Sequence, residues 1–135
     1  MLASQAQASG RGRTIGWVLS GLVIAFLLMD ATMKLLALSV VLETSGPLGF
    51  PGAAMARGLG VLLLACTLLY AAPQSAVLGA ILLTGYLGGA VATHVRVGDP
   101  LFSHILFGVY LGVLLWLGLY LRDPRLRSLV PLRSI

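Results

Sequence analysis

Long apolar stretches, broken by a few short polar segments, dominate the sequence. Between Gly58 and Thr93 no residue carries a charge, and this run is too long for one crossing, since about 20 residues span the hydrocarbon of a bilayer. Pro73 divides the run, because proline lacks an amide donor and clashes with the preceding helical turn. The pattern therefore predicts two membrane-spanning helices, at about residues 53–72 and 75–95, joined by a tight turn.

Two further apolar runs flank this pair of helices. The first covers about residues 15–38 and has no Ala-x-Ala-type exit, so we expect a helix that stays in the membrane and not a cleaved signal peptide. The last covers residues 101–121 and opens at Asp99-Pro100, an N-cap acceptor followed by proline at the first helical position. We expect an all-α integral membrane four-helix bundle with a polar tail (1–14), a transmembrane domain (15–121) and a basic tail (122–135).

The composition favours lipid as the solvent. The chain is 59% hydrophobic and 10% charged, against roughly 25% charged in soluble domains, and its mean hydropathy is +1.00. The net charge is +5, but the basic residues flank apolar runs instead of clustering with aromatic residues on a solvated face, so no nucleic-acid binding is expected. The single cysteine, Cys66, excludes an intrachain disulfide.

The distribution of positive charge predicts the orientation. Four crossings place both termini on one side, which then carries six arginines, whereas the other side carries three basic residues. The positive-inside rule makes both termini cytoplasmic, and we expect the bacterial cytoplasmic (inner) membrane as the location. The tail after the last span is predicted to be either a short helix along the headgroups or a disordered extension. The six arginines are Arg11, Arg13, Arg122, Arg125, Arg127 and Arg133, and the three opposite are Lys34, Arg57 and Arg96.

Ionisable residues at membrane depth form a candidate ligand site. Asp30 lies 15 residues beyond Ile15, which is roughly 22 Å along a helix and still inside a hydrocarbon layer of about 30 Å. Arg57 reaches a similar depth on the second span, and a lone charge there costs several kcal/mol. We therefore predict that Asp30 pairs with Arg57, with Lys34 one turn above Asp30 on the same helical face. An ion network that only stabilises the fold is the alternative.

Two histidines extend this candidate site. His104 lies one turn into the fourth span, and His94 lies near the outer end of the third. A pocket near the outer leaflet with these charges suits a polar headgroup whose apolar tail lies between helices, as in a quinone or a lipid, and a histidine beside a carboxylate can transfer protons near neutral pH. We expect no metal site, because two histidines without ligand spacing are a weak signal. Stand-alone catalysis is not expected either.

Two glycine pairs predict close helix packing. Gly85 with Gly89, and Gly108 with Gly112, have the small-x-x-x-small spacing that lets helix backbones approach in lipid. We expect the third span to contact the fourth through these faces, with a homodimer contact as the alternative.

Three segments carry a resemblance to a known family. They are GYLGGAVATHVRVGDPLFSH (85–104), FLLMDATMK (26–34) and GLGVLLLAC (58–66). Together they resemble the DoxX-like family of small bacterial four-helix membrane proteins over nearly the whole chain after Thr14. The family is named from relatives linked to a thiosulfate:quinone oxidoreductase and to membrane-associated oxidoreductase complexes. The resemblance therefore implies a multi-pass membrane protein with a quinone or redox association.

Three functional hypotheses follow from these observations. The leading one is an accessory or quinone-interacting component of a membrane redox system, with quinone as the candidate cofactor. The second is a small-molecule or lipid carrier that uses the same pocket. The third is a membrane scaffold that recruits a soluble protein partner through the basic tail, with no catalytic activity.

Overall fold

The computed structural model describes residues 2–129, and this part of the chain is helical without strands. Four helical segments are long and apolar enough to cross a membrane. The predicted all-α, four-span architecture is confirmed, whereas the cytoplasmic placement of the termini stays a prediction. The elements are α1 (Leu2–Leu35), α2 (Ser39–Ser45), α3 (Ala53–Ala71), α4 (Ala76–Val97), a π-helical turn (Leu101–Ile105), α5 (Phe107–Arg122) and α6 (Pro124–Arg127).

The four long helices form an antiparallel bundle, as short connections require. α1 packs against α3 and α5, and α4 packs against the same two helices, so α1 and α4 occupy opposite corners. Large apolar side chains such as Leu22 and Phe102 are exposed on the outside, where a bilayer replaces water as the surrounding medium. We call the end of the bundle that carries Gly10 and Arg122 the terminal end. The opposite end, which carries Leu35 and Val97, is the distal end. The core includes Val23, Leu27, Leu63, Leu83, Leu115 and Leu119.

The chain near the first span departs from the prediction at both of its ends. α1 begins at Leu2, so the described part of the predicted polar tail continues the helix. At the distal end α1 stops at Leu35, where Ala37 takes a positive φ of 48°, a conformation that few non-glycine residues adopt. The turn leads into the short helix α2, which the apolar pattern did not indicate.

The fourth span begins irregularly. A π-helical turn occupies Leu101–Ile105 before α5 starts. Asp99 was predicted to cap the start of this span, but its side chain does not do so. Gly98 ends α4 with a left-handed φ of 74°, and the Asp99 amide donates to the His94 carbonyl oxygen at 3.1 Å. This is the hydrogen bond of a Schellman cap. It turns Asp99 back over the last turn of α4, away from the helix that follows.

Close backbone packing occurs at glycines outside the two predicted pairs. A Cβ on Gly16 of α1 would lie 2.7 Å from the carbonyl oxygen of Gly118 on α5, and one on Gly118 would lie 2.6 Å from Ser20 Oγ. Near the distal end, a Cβ on Gly60 of α3 would lie 3.1 Å from the Ala31 carbonyl oxygen on α1. Gly16 and Ser20 have the small-x-x-x-small spacing, so a close contact of α1 with another helix could have been predicted from the sequence.

The predicted glycine contact between the third and fourth spans is correct for one residue in four. A Cβ on Gly108 would lie 2.9 Å from Val91 Cγ2 on α4, whereas Gly85, Gly89 and Gly112 have nothing within 4 Å of the Cβ position. The last three therefore leave open space instead of joining α4 to α5.

A buried polar network joins three helices at the terminal end. Tyr70 of α3 is fully buried, and its hydroxyl donates to the Leu115 carbonyl oxygen at 2.6 Å while lying 3.0 Å from Ser20 Oγ. Beyond α5, Asp123 accepts a hydrogen bond from the Arg125 amide and begins α6, whose Leu126 is buried. The first residues of the basic tail thus form a short helix against the bundle. Its last residues, 130–135, including Arg133, lie outside the described residues.

Candidate functional site

The charged pair of the first span is formed within one helix. Lys34 Nζ donates to Asp30 Oδ2 at 2.5 Å, and the two side chains are 16% and 32% exposed. The spacing i, i+4 brings these groups to one face of α1. The predicted pair between Asp30 and Arg57 is wrong. Arg57 is exposed and its Nε donates to the Leu35 carbonyl oxygen at 3.3 Å, so it binds the end of α1 from outside the bundle.

Both histidines lie at the distal end and face each other. Their ring centroids are 5.8 Å apart with an interplanar angle of 70°. His94 Nδ1 lies 2.5 Å from Asp99 Oδ2, and since an ionised carboxylate only accepts, His94 Nδ1 donates and its Nε2 is left as an acceptor when the ring is neutral. His104 Nδ1 lies 2.7 Å from Ser103 Oγ. Each imidazole is thus held through Nδ1.

One pocket collects these groups at the distal end. Its volume is about 480 Å³, within the 300–1,000 Å³ that is usual for small-molecule sites. Four of the five predicted ligand residues line it, namely Asp30, Lys34, His94 and His104, and Arg57 does not. Gly85, Gly89 and Gly108 also line it. Gly85 and Gly89 have open space at their Cβ positions, so the lack of a side chain at these two predicted packing glycines provides room for a ligand. Aromatic and apolar walls are contributed by Phe26, Phe50, Leu59, Tyr86, Leu87 and Phe107.

An apolar groove adjoins the pocket on the outer face of α4 and α5. The groove has a volume of about 690 Å³ and shares Leu87, Val91 and Gly108 with the pocket. It continues along α5 as far as Tyr120, which is about 18 Å from Gly108 at 1.5 Å per residue. Among the described residues that line it, only Thr84, Trp116 and Tyr120 have polar side-chain groups, and the Thr84 hydroxyl accepts a hydrogen bond from Trp116 Nε1 at 2.8 Å. The pocket and the groove thus form one cavity. Its end lined by Asp30, Lys34 and the two histidines is the polar head of the cavity, and the groove is its long apolar extension.

The polar head offers both donors and acceptors. Lys34 retains N–H donors beyond the one given to Asp30, and His94 Nε2 is available to accept or, when protonated, to donate. Phe26 and Phe107 pack edge to face with centroids 5.4 Å apart, which provides an aromatic wall for a planar group. Among residues 2–129 no cluster of three or more metal-ligating side chains occurs.

Several residues that line the pocket, and Asp99, which supports the lining residue His94, were not predicted from the sequence. Asp99 was interpreted as a helix cap, and its position beside His94 depends on the left-handed Gly98. Tyr86, Phe26 and Phe107 lie in apolar spans, where an aromatic side chain can face either lipid or a pocket, and Phe50 lies in the loop before α3. None of the four was therefore predicted to line the site. Only the i, i+8 spacing of Tyr86 with His94 indicates a shared helical face.

A comparison with protein families matches the model described as the DoxX-like family over residues 18–118. No curated protein and no solved structure matches the chain. The matched range contains all four spans, apart from the ends of the first and last, and every lining residue of the pocket. Since the match covers well over half of the sequence, the chain belongs to the DoxX-like family.

Proposed function

We propose that this protein binds a quinone in the distal pocket and acts as a quinone-interacting accessory component of a membrane redox system in the bacterial cytoplasmic membrane. The single observation that supports the proposal is the pocket itself, in which ionisable groups and aromatic rings meet at one end of a long apolar groove. An amphipathic ligand with a planar polar head and a hydrocarbon tail matches that division.

The head of the pocket suits the two carbonyl oxygens of a quinone. Lys34 Nζ and a protonated His94 or His104 are donors for those oxygens, and the face of Phe107 or Tyr86 can stack on the ring. Reduction of a quinone consumes two electrons and two protons, and histidines supported by Asp99 and Ser103 suit proton delivery. The electrons have to come from a redox partner protein, because we assign no electron-donating group to this chain.

The apolar groove suits the tail of the same ligand. Its length of about 18 Å along α5 accommodates several isoprene units, and it opens towards the lipid-facing surface at Val109 and Val113, which are exposed. A tail there remains in contact with the bilayer, so the ligand can exchange with a membrane pool.

The same groove favours a second candidate function, a carrier for a lipid or another small amphipathic molecule. A carrier needs a path from the membrane into a polar site, and the three lining residues shared by the groove and the pocket provide one. The carrier differs from the redox component by moving its ligand between leaflets or between compartments.

The test is the identity of the molecules that copurify with the protein. We would extract protein purified in mild detergent and quantify quinones and lipids by mass spectrometry, comparing wild type with an Asp30→Asn/His104→Ala variant. Arg57→Gln is the matched control, because Arg57 is a charged residue of the distal end that does not line the pocket. We expect quinone with wild type and with Arg57→Gln, and little with the double variant.

Identical quinone content in all three proteins would contradict the assignment of the pocket. A bound lipid in place of quinone, together with flux of that lipid in proteoliposomes, would support the carrier instead.

A further inference from the structure

A separate cleft lies at the terminal end of the bundle. Its volume is about 390 Å³, and it is lined by residues of α1, the α3–α4 turn, the end of α5 and the start of α6. It therefore forms only when these parts of the chain have come together. Three guanidinium groups line it, those of Arg13, Arg122 and Arg125, together with the single carboxylate of Asp123. The cleft thus carries an excess of positive charge.

Arg122 is held in a fixed position within this cleft. The residue is 6% exposed, and its Nη2 donates to the Tyr70 carbonyl oxygen at 2.8 Å. The guanidinium carbon lies 4.3 Å from the centroid of the Trp17 ring and 4.9 Å from that of Tyr70. Two aromatic rings and a carbonyl therefore orient the guanidinium before any ligand arrives.

In the described part of the chain, residues 2–129, no anion is paired with the buried charge of Arg122. Its Nε is also buried and has no hydrogen-bond partner among the same residues. The neighbouring Asp123 uses its carboxylate to cap α6, accepting from the Arg125 amide at 2.9 Å. Buried charges in proteins are normally paired and hydrogen-bonded, and aromatic rings compensate only part of the cost.

We propose that this cleft binds a phosphate group, and that the phosphate belongs to the headgroup of an anionic phospholipid. An arginine presents a planar set of N–H donors that matches phosphate oxygens, and Arg13 and Arg125 add exposed charges at the rim. Trp17 lies at this level, and tryptophan is enriched where a membrane meets water. The lipid's acyl chains then extend along the apolar exterior of the bundle. Free inorganic phosphate shares the same chemistry and is separated from the lipid by the experiment.

The experiment measures lipid binding to the full chain in mild detergent by native mass spectrometry. Phosphatidylglycerol is titrated against phosphatidylcholine, and inorganic phosphate is titrated separately at constant ionic strength. Because Arg122→Gln removes a buried contact and risks the fold, the test variant is Arg13→Gln/Arg125→Gln.

The control is Arg11→Gln/Arg127→Gln, which removes the same charge from exposed arginines on the same two elements that do not line the cleft. Arg127 also donates to the carbonyl oxygens of Tyr120 and Leu121 at the end of α5, so thermal unfolding of the control is compared with that of wild type.

We expect about 25-fold weaker phosphatidylglycerol binding for the test variant, from about fivefold for the hydrogen bond that each arginine would lose, and less than a threefold change for the control. If phosphate alone binds and is lost in the test variant, while phosphatidylglycerol and phosphatidylcholine bind alike, the site is a phosphate site but the ligand is not a lipid. Equal losses in both variants would overturn the proposal, because the preference for phosphatidylglycerol would then arise from net charge. No loss in either variant would also overturn it, because the cleft would then not bind the lipid.

Discussion

Filling the distal pocket from its own wall is the sharpest test of its role. Gly89 lies on α4 and lines the pocket, and nothing occupies the space within 4 Å of its Cβ position. The first side-chain atom of Gly89→Leu therefore meets open space, and the remaining atoms extend from there. Gly58→Leu on α3 is the matched control, since Gly58 is also helical, exposed and open at its Cβ position, but does not line the pocket.

The size of the effect follows from the geometry. Leucine adds four carbon atoms, each with its hydrogens about as large as a water molecule, whose share of liquid volume is about 30 Å³. The side chain therefore fills roughly 120 Å³, a quarter of the cavity of about 480 Å³. Gly89 and His94 line the same pocket, about 7.5 Å apart along the axis of α4, so the added atoms occupy space in the cavity that a ligand at His94 would use. Displacing two or three buried ligand carbons at about 0.8 kcal/mol each costs about 2 kcal/mol, or roughly 30-fold in Kd.

Binding of a short-chain quinone measured by equilibrium dialysis is the assay, with thermal unfolding in detergent as the check on folding. Both variants replace a helical glycine, which favours the helix by up to about 1 kcal/mol, so neither should unfold earlier than wild type. We expect weaker binding for Gly89→Leu and unchanged binding for Gly58→Leu. The same Kd in both variants would refute the assignment of the pocket as the binding site.

Two predictions concern stability, and both are measured by unfolding in mixed detergent micelles. Tyr70→Phe should cost about 1–3 kcal/mol, because it removes the donor to the buried Leu115 carbonyl and the partner of Ser20; an unchanged transition would mean that this network contributes nothing. Gly118→Ala should cost about 1–3 kcal/mol through overpacking against α1. Gly112→Ala, with open space at its Cβ position, should cost nothing, and equal effects at the two glycines would show that the α1–α5 contact is looser than described.

The architecture could be predicted because the thickness of a bilayer fixes the length of each span. A charge-free run too long for one crossing, divided at Pro73, was enough to place two helices. The connections were harder, because no length rule applies to them. The left-handed Ala37 and the helix α2 depend on local turn geometry in a segment that mixes polar and apolar residues.

The sequence predicted how far along the bundle the candidate site residues lie, but not which way their side chains face. Counting residues along a span gives a side chain's height in the membrane, and this correctly placed Asp30 and His104 at one end of the bundle. Height says nothing about which side of a helix faces a neighbour, so Arg57 at the same height was paired wrongly. The predicted packing role of Gly85, Gly89 and Gly112 was wrong for the same reason. The spacing identifies a flat helix face, but not whether a helix or a cavity lies against that face.

The ion pair within α1 also bears on how the chain enters the membrane during synthesis. A single Asp or Lys costs about 2.5–3.5 kcal/mol on insertion at the centre of a membrane helix, which is an upper bound for Asp30 near the end of its span. If Asp30 depended on an arginine of α3, that cost would persist until the second hydrophobic segment emerged from the ribosome. Because Lys34 lies on the same helix, the two charges at the distal end of α1 can leave the translocon as a neutral pair, and the later assembly of α1 with α3 depends on shape, through the close fit of Gly60.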